Sequence, residues 1–235
     1  MEITTVLFDL DGTLLPMDQD IFIKTYFKQL AAKLAPLGYE PQKLIQTIWN
    51  GTMAMIGNDG SRPNLDAFWE YFVQVYGQDS LGHKPIIDGF YTQEFARVQD
   101  VCGFAPMAKE IVESLKAAEK TVVLATNPIF PAVATEKRIR WAGLTPEDFV
   151  LYTTYENASF CKPNPKYYTE ILEKIGRTPE ECLMVGNDVT EDMITETMGM
   201  KVFLLTDCLI NKDGKDISAY PHGSFPKLKE YLSRL

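Results

Sequence analysis

The chain has 235 residues, enough for one α/β domain with an insertion, and 46% hydrophobic against 23% charged residues is the balance of a packed globular protein. A net charge of −9 argues against a nucleic-acid backbone or an anionic membrane as partner, because both reward clustered Lys and Arg. The same charge repels phosphate, so an anion site here has to be built locally from a cation, a lysine and backbone amides.

Thr5-Val6-Leu7-Phe8 predicts a first strand, ending at Asp9. From Pro16 to Cys102 only helical patterns follow. Ile23, Phe27, Leu30, Leu34 and Leu37 form one stripe, and Leu44, Ile45 and Ile48 the next. Asn64 is the expected N-cap of a third segment carrying Leu65, Phe68, Trp69, Phe72 and Tyr76, and Phe90, Phe95 and Val98 mark a fourth. Met107, Ala108, Ile111, Val112 and Leu115 then precede a second strand, Thr121 to Ala125, which ends at Thr126-Asn127. A helix from about 131 to 142, closed by Gly143, leads to a third strand over Phe149 to Tyr152. Pro165 opens a helix with Tyr168, Ile171, Leu172 and Ile175 as its buried stripe and Gly176 as its stop. Cys182 to Val185 is a fourth strand, running into Gly186-Asn187-Asp188, and Lys201 to Leu205 a fifth.

These strands are continuous apolar runs without polar alternation, as in a parallel sheet covered on both faces. Strand alternating with helix gives a doubly wound α/β fold, with the helical stretch after the first strand as an insertion. The four cysteines, Cys102, Cys161, Cys182 and Cys208, are widely spaced without a C-x-x-C pair and read as free thiols of a reducing compartment. The start, Met1-Glu2-Ile3, carries no basic region, and no run approaches the ~20 apolar residues of a membrane span. A cytoplasmic protein is expected.

Four polar clusters follow strand ends: Asp9 with Asp11, Thr126 with Asn127, Lys162, and Asn187 with Asp188. Open α/β sheets bind ligands outside the carboxyl ends of their strands, so residues far apart in sequence would meet at one edge. Carboxylates, a hydroxyl, an ammonium and glycine-freed amides are what metal-assisted phosphoryl transfer requires. Gly12 permits the bend that would aim both Asp9 and Asp11 into one site.

The string Asp9-Leu10-Asp11-Gly12-Thr13-Leu14 after an apolar strand resembles the first motif of the haloacid-dehalogenase-like (HAD) superfamily. Val123 to Asn127 resembles its second motif, Lys162-Pro163-Asn164-Pro165 its third, and Gly186 to Met193 its fourth. The resemblance implies a HAD-like Rossmannoid core over residues 1–15 and 103–235, with residues 16–102 as a small α-helical cap. It implies Asp9 as the nucleophile that forms an aspartyl-phosphate, and Asp11 as general acid and base. It gives Thr126, Asn127, Gly12 and Lys162 to the phosphoryl oxygens. Mg2+ would be held by Asp9, the backbone carbonyl of Asp11, and Asp188. The chain departs from the commonest fourth motif in placing Asn187 where many relatives have aspartate, so Asn187 is assigned a supporting hydrogen bond. Asp192, one turn on, would orient Lys162 or a metal-bound water.

The implied activity is hydrolysis of a small phosphorylated metabolite. A phosphoglucomutase-like phosphotransferase and an inactive phosphate- or metal-binding module are the alternatives. A dehalogenase is disfavoured, since it has no use for Asp11. Asp18, Asn50, Asn58 and Arg62 read as surface residues rather than substrate contacts. Nucleotide monophosphates, sugar phosphates and phosphoglycolate-like acids all stay open as substrates.

Overall fold

The computed structural model describes residues 2–234; Met1 and Leu235, the two ends of the expected core domain, lie outside the described residues. One parallel sheet of six strands among these residues runs in the order β3-β2-β1-β4-β5-β6. Its strands are β1 (Thr5–Phe8), β2 (Thr121–Leu124), β3 (Leu151–Tyr152), β4 (Cys182–Gly186), β5 (Lys201–Leu205) and β6 (His222–Gly223). β1 lies at the centre, with Thr5 in register with Thr121 on one side and Cys182 on the other. Both β1 and β4 are buried throughout, which is why neither shows polar alternation. The chain order reverses across β1 and β4, and their carboxyl ends open a crevice there.

The five expected strands are present, and β6 is an addition too short to leave a pattern. The third is trimmed: Pro146–Asp148 forms a 3-10 turn, and Val150 is exposed, leaving two residues paired with β2.

Between β1 and β2 the chain forms α1 (Gln19–Leu34), α2 (Pro41–Ile56), α3 (Asn64–Tyr76), α4 (Lys84–Thr92) and α5 (Pro106–Ala117). The linkers to the helical insertion lie side by side: Met17 bridges Cys102, and Gly103 N donates to Pro16 O at 2.7 Å. Asp18 caps α1, its carboxylate accepting from Ile21 N at 3.0 Å. Phe90, Phe95 and Val98 do not share one α-helix; Phe90 ends up in α4 and the other two in a 3-10 segment, Glu94–Val101.

Asn64 is a second correction. It is the first residue of α3 rather than its cap. Carbonyls of a core loop take the first amides instead, Asn64 N donating to Ala158 O at 2.9 Å and Leu65 N to Tyr155 O at 2.7 Å. With the helix end satisfied this way, the fully buried Asn64 amide is free to bind elsewhere. It accepts from Asn58 Nδ2 at 2.9 Å and lies 3.3 Å from the Pro128 and Phe160 carbonyls, fastening insertion to core.

The core is completed by α6 (Ala132–Trp141), α7 (Pro165–Ile175) and α8 (Phe225–Leu232). Asn164 caps α7, and Gly176 ends it in the left-handed region at φ 63°. The four cysteines are free, with Cys161 and Cys182 buried and the other two half-buried. Among the described residues no helix is long and apolar enough to cross a membrane.

Candidate active site

Asp9 is the residue after β1, and Asp9 N donates to Val185 O at 2.9 Å, so the sheet holds it at the crevice floor. Gly12 turns the chain at φ 87°, and a Cβ there would stand 2.3 Å from Asn187 Nδ2. The bend therefore needs glycine on two counts, backbone conformation and the close approach of the β4 loop. Thr13 Oγ1 lies 3.2 Å from Asp9 Oδ2 and 3.0 Å from Asn187 Oδ1, so its single proton serves one or the other.

Lys162 is 1% exposed and donates to Asp9 Oδ1 at 2.8 Å and to Asp192 Oδ1 at 2.6 Å. Burial works against its charge, but Asp192 and Asp9 together outweigh this and hold the ammonium well above the usual lysine range. A buried ammonium between two carboxylates is an electrostatic anchor for the site, expensive to dismantle one partner at a time.

The β4 loop supplies three polar side chains with different employment. Asn187 Nδ2 donates to Cys208 O at 2.7 Å, and its oxygen faces Thr13, so the amide is spent on fixing the loop. Asp192 accepts from Asp188 N at 3.0 Å as well as from Lys162. Burial pushes its carboxyl up to about 6 despite the ammonium beside it. Asp188 Oδ1 accepts from Thr190 N and Glu191 N at 2.7 and 2.9 Å, which orients its carboxylate on the cavity wall. Thr126 and Asn127 follow β2 and reach the same cavity; Asn127 Oδ1 accepts from Lys162 N at 3.3 Å.

Asp11 has a partner that the sequence reading missed. Arg138, in α6, is fully buried and donates from Nη1 to Asp11 Oδ2. Its guanidinium sits 4.5 Å from the Phe130 ring centroid, and Nη2 donates to Thr135 Oγ1 at 3.3 Å. Burial raises the Asp11 carboxyl above its ordinary value, with Arg138 opposing. The signal was available: Ala134, Thr135, Arg138 and Ile139 share the buried stripe of α6, and a charge on such a stripe needs a partner. Glu191 was also passed over. Burial first, and then the neighbouring acids, push it up to about 7, while Asn127 Nδ2 lies 3.3 and 3.4 Å from its oxygens.

All of these groups meet. Asp9, Asp11, Thr126, Asn127, Asn187, Asp188 and Asp192 border one cavity of about 200 Å³, with Lys162 and Gly12 behind its floor. Asp18, Asn50, Asn58 and Arg62 do not border it: each bonds within the insertion.

A hard dication fits this floor. Five carboxylates line one cavity, Asp11 Oδ1 is buried with no partner among the described residues, and the donors are oxygens. Among the described residues no three acidic, histidine or cysteine side chains form a closed metal cluster. Magnesium does not need one, since it takes one or two carboxylates and keeps waters or phosphate oxygens for the rest.

The family model for haloacid dehalogenase-like hydrolases matches residues 3–195. The chain is 26% identical over 205 residues to a phosphoglycolate phosphatase of Vibrio vulnificus, covering 87% of this chain and 84% of that one. It superposes on the crystal structure of a HAD phosphatase from Thermococcus onnurineus with a TM-score of 0.59 at 20% identity, covering 99% and 98% of the two chains. A 2-haloacid dehalogenase from Pseudomonas syringae pv. Tomato gives 0.62 at 22% identity, covering 99% of each. At these identities the likeness to the solved structures is one of fold.

Proposed function

Since the chain belongs to the haloacid dehalogenase-like hydrolases, we propose that it is a magnesium-dependent phosphatase that cleaves a small phosphomonoester through an aspartyl-phosphate on Asp9. The observation that carries this reading is the buried Lys162 bridging Asp9 and Asp192, with Asp11 two residues beyond the nucleophile. The Lys162 ammonium, in contact with Asp9, lowers the repulsion between its carboxylate and an incoming phosphate dianion.

In the first step a carboxylate oxygen of Asp9 forms a bond to phosphorus as the bond to the alcohol oxygen breaks. Asp11 gives its proton to the departing oxygen; burial raises its carboxyl toward that task, while Arg138 opposes. Asp11, now ionised, takes a proton from water as that water attacks the aspartyl-phosphate. The Asp9–phosphorus bond breaks, inorganic phosphate leaves, and both aspartates return to their starting state. Thr126 and Asn127 bind the non-bridging oxygens, while Asp192 holds Lys162 and the Asp188 amide in place and Asn187 fixes the loop through Cys208 O. Asp9, the Asp11 carbonyl and Asp188 would hold magnesium, which neutralises charge on the phosphoryl group. Residues 16–102 act in this reading as a cap that shields the reaction over a core of 1–15 and 103–235.

The similarity to phosphoglycolate phosphatases supports a small phosphorylated metabolite as substrate. Asp11 counts against carbon–halogen cleavage, where no alcohol needs a proton. The test is hydrolysis of an aryl phosphate with and without magnesium. Chelation stops turnover and added magnesium restores it, while Asp9→Asn lowers kcat by at least about 10³-fold with unchanged circular dichroism. Full turnover after exhaustive chelation, or a near-native rate in Asp9→Asn, ends the reading.

A further inference from the structure

The cavity floor is ionic, and its cap wall is the opposite. The wall carries eight aromatic side chains, among them Phe27, Trp49, Phe68, Trp69, Phe72 and Tyr91, and among the described residues no Lys, Arg, His, Asp or Glu of the cap borders it. Its few polar atoms are neutral, and Trp69 Nε1 is buried with no partner among the described residues. The Tyr26 and Tyr91 hydroxyls bond each other at 2.7 Å, and Thr52 Oγ1 donates to Ile48 O at 3.0 Å. Gln19 adds one neutral amide near the linker. The cation that borders the cavity, Lys212, is exposed and belongs to the core. Its loop is pinned beside Asn187 by Ile210 N donating to Asn187 O at 2.8 Å.

We infer that the substrate is a phosphomonoester of a small, uncharged and mainly apolar or aromatic alcohol, whose leaving group packs against the aromatic cap wall. The inference deepens the phosphatase reading and rests on it. A carboxylate on the leaving group would be desolvated against rings with five acidic side chains across the cavity and no counter-ion on its own side. An apolar group gains what the carboxylate loses. Size sets the upper limit: a cavity of ~150 Å³ holds benzene, and about 200 Å³ here gives a single ring or short chain room beside the phosphoryl group. The alcohol named by the phosphoglycolate relatives is therefore a poor match for this wall.

Two measurements test this. The first compares kcat/KM for ethyl, butyl, isobutyl and benzyl phosphate with that for phosphoglycolate, a near-isostere of the isobutyl ester that adds a charge. Each buried methylene is worth about 0.8 kcal/mol, so kcat/KM rises about four-fold per methylene until the wall is filled. The isobutyl ester exceeds phosphoglycolate by at least about ten-fold, and Trp49→Arg, at a half-exposed wall position, narrows that ratio by about ten-fold. The second is calorimetric binding of benzylphosphonate and phosphonoacetate to the intact protein with magnesium, which needs no turnover. Tighter binding of benzylphosphonate supports an apolar occupant of the cap wall; if no ester is hydrolysed, the phosphatase reading falls and takes the phosphomonoester assignment with it, while the preference of the wall stands. Phosphonoacetate bound as tightly, or phosphoglycolate hydrolysed as well as the isobutyl ester, overturns the inference and leaves the phosphatase standing.

Discussion

Arg138 and Asp11 show how far a single residue's role depends on its partner. A fully buried guanidinium held against a largely buried carboxylate is costly to break, because either group alone is left uncompensated. Arg138→Met lowers stability by about 3 kcal/mol, read from the urea midpoint. The double variant with Asp11→Asn recovers most of that loss, since both charges are gone. Additive losses would show that the pair is not coupled. The β4 loop gives a second residue-scale prediction. Asp188 is the proposed ligand, whereas Asp192 is occupied by Lys162 and the Asp188 amide. Asp188→Ala raises the magnesium concentration for half-maximal rate by about ten-fold or more, and Asp192→Ala lowers kcat with a smaller metal effect. The reverse order in a magnesium titration would exchange the two roles. Asp9, Asp11 and Lys162 could be picked out from sequence because each sits in a short local string, Asp-x-Asp-Gly or Lys-Pro-x-Pro, whose shape the chain itself enforces. Arg138 has no such string; only the face of α6 reveals it.

Elements were readable where the pattern ran long enough. β1, β2, β4 and β5 are apolar runs covered on both faces, and α7 carries both its proline start and its glycine stop. Errors fell where tertiary contacts replace local signals. The start of α3 looked capped by Asn64, but its amides are satisfied by the 155–158 loop of the core. No local spacing reports a partner about ninety residues away. This contact makes α3 the insertion's anchor: Asn64→Ala removes a buried amide that Asn58 and two core carbonyls use. It lowers stability by about 2 kcal/mol, and proteolysis of the variant should cut first within residues 58–64. An unchanged denaturation midpoint would remove Asn64 from that role. The break between α4 and the Glu94–Val101 segment is of the same kind, since one hydrophobic stripe can be met by a 3-10 stretch as well as by an α-helix.

At the scale of the whole molecule, an anionic protein has been given a phosphate site. The net charge of −9 opposes approach of a dianion, and the local ammonium of Lys162 is buried too deeply to steer it. Attraction begins inside the crevice, so screening helps the encounter. At saturating magnesium, kcat/KM for a phosphomonoester rises about two-fold from ~10 to ~150 mM ionic strength. A fall of that size would mean that exposed cations such as Lys212 govern association.

The order of strands and helices, the glycine bend at Gly12 and the four polar clusters were determined by the sequence alone, because each depends on neighbours within a few positions. What only the tertiary structure decided was which groups face each other: Arg138 with Asp11, Asn187 with Thr13, Asn64 with the core loops, and eight cap rings above an acidic floor. Those pairings follow from parallel strands and packed helices bringing together residues far apart in the chain, and their energies arise from burial, which no linear spacing records.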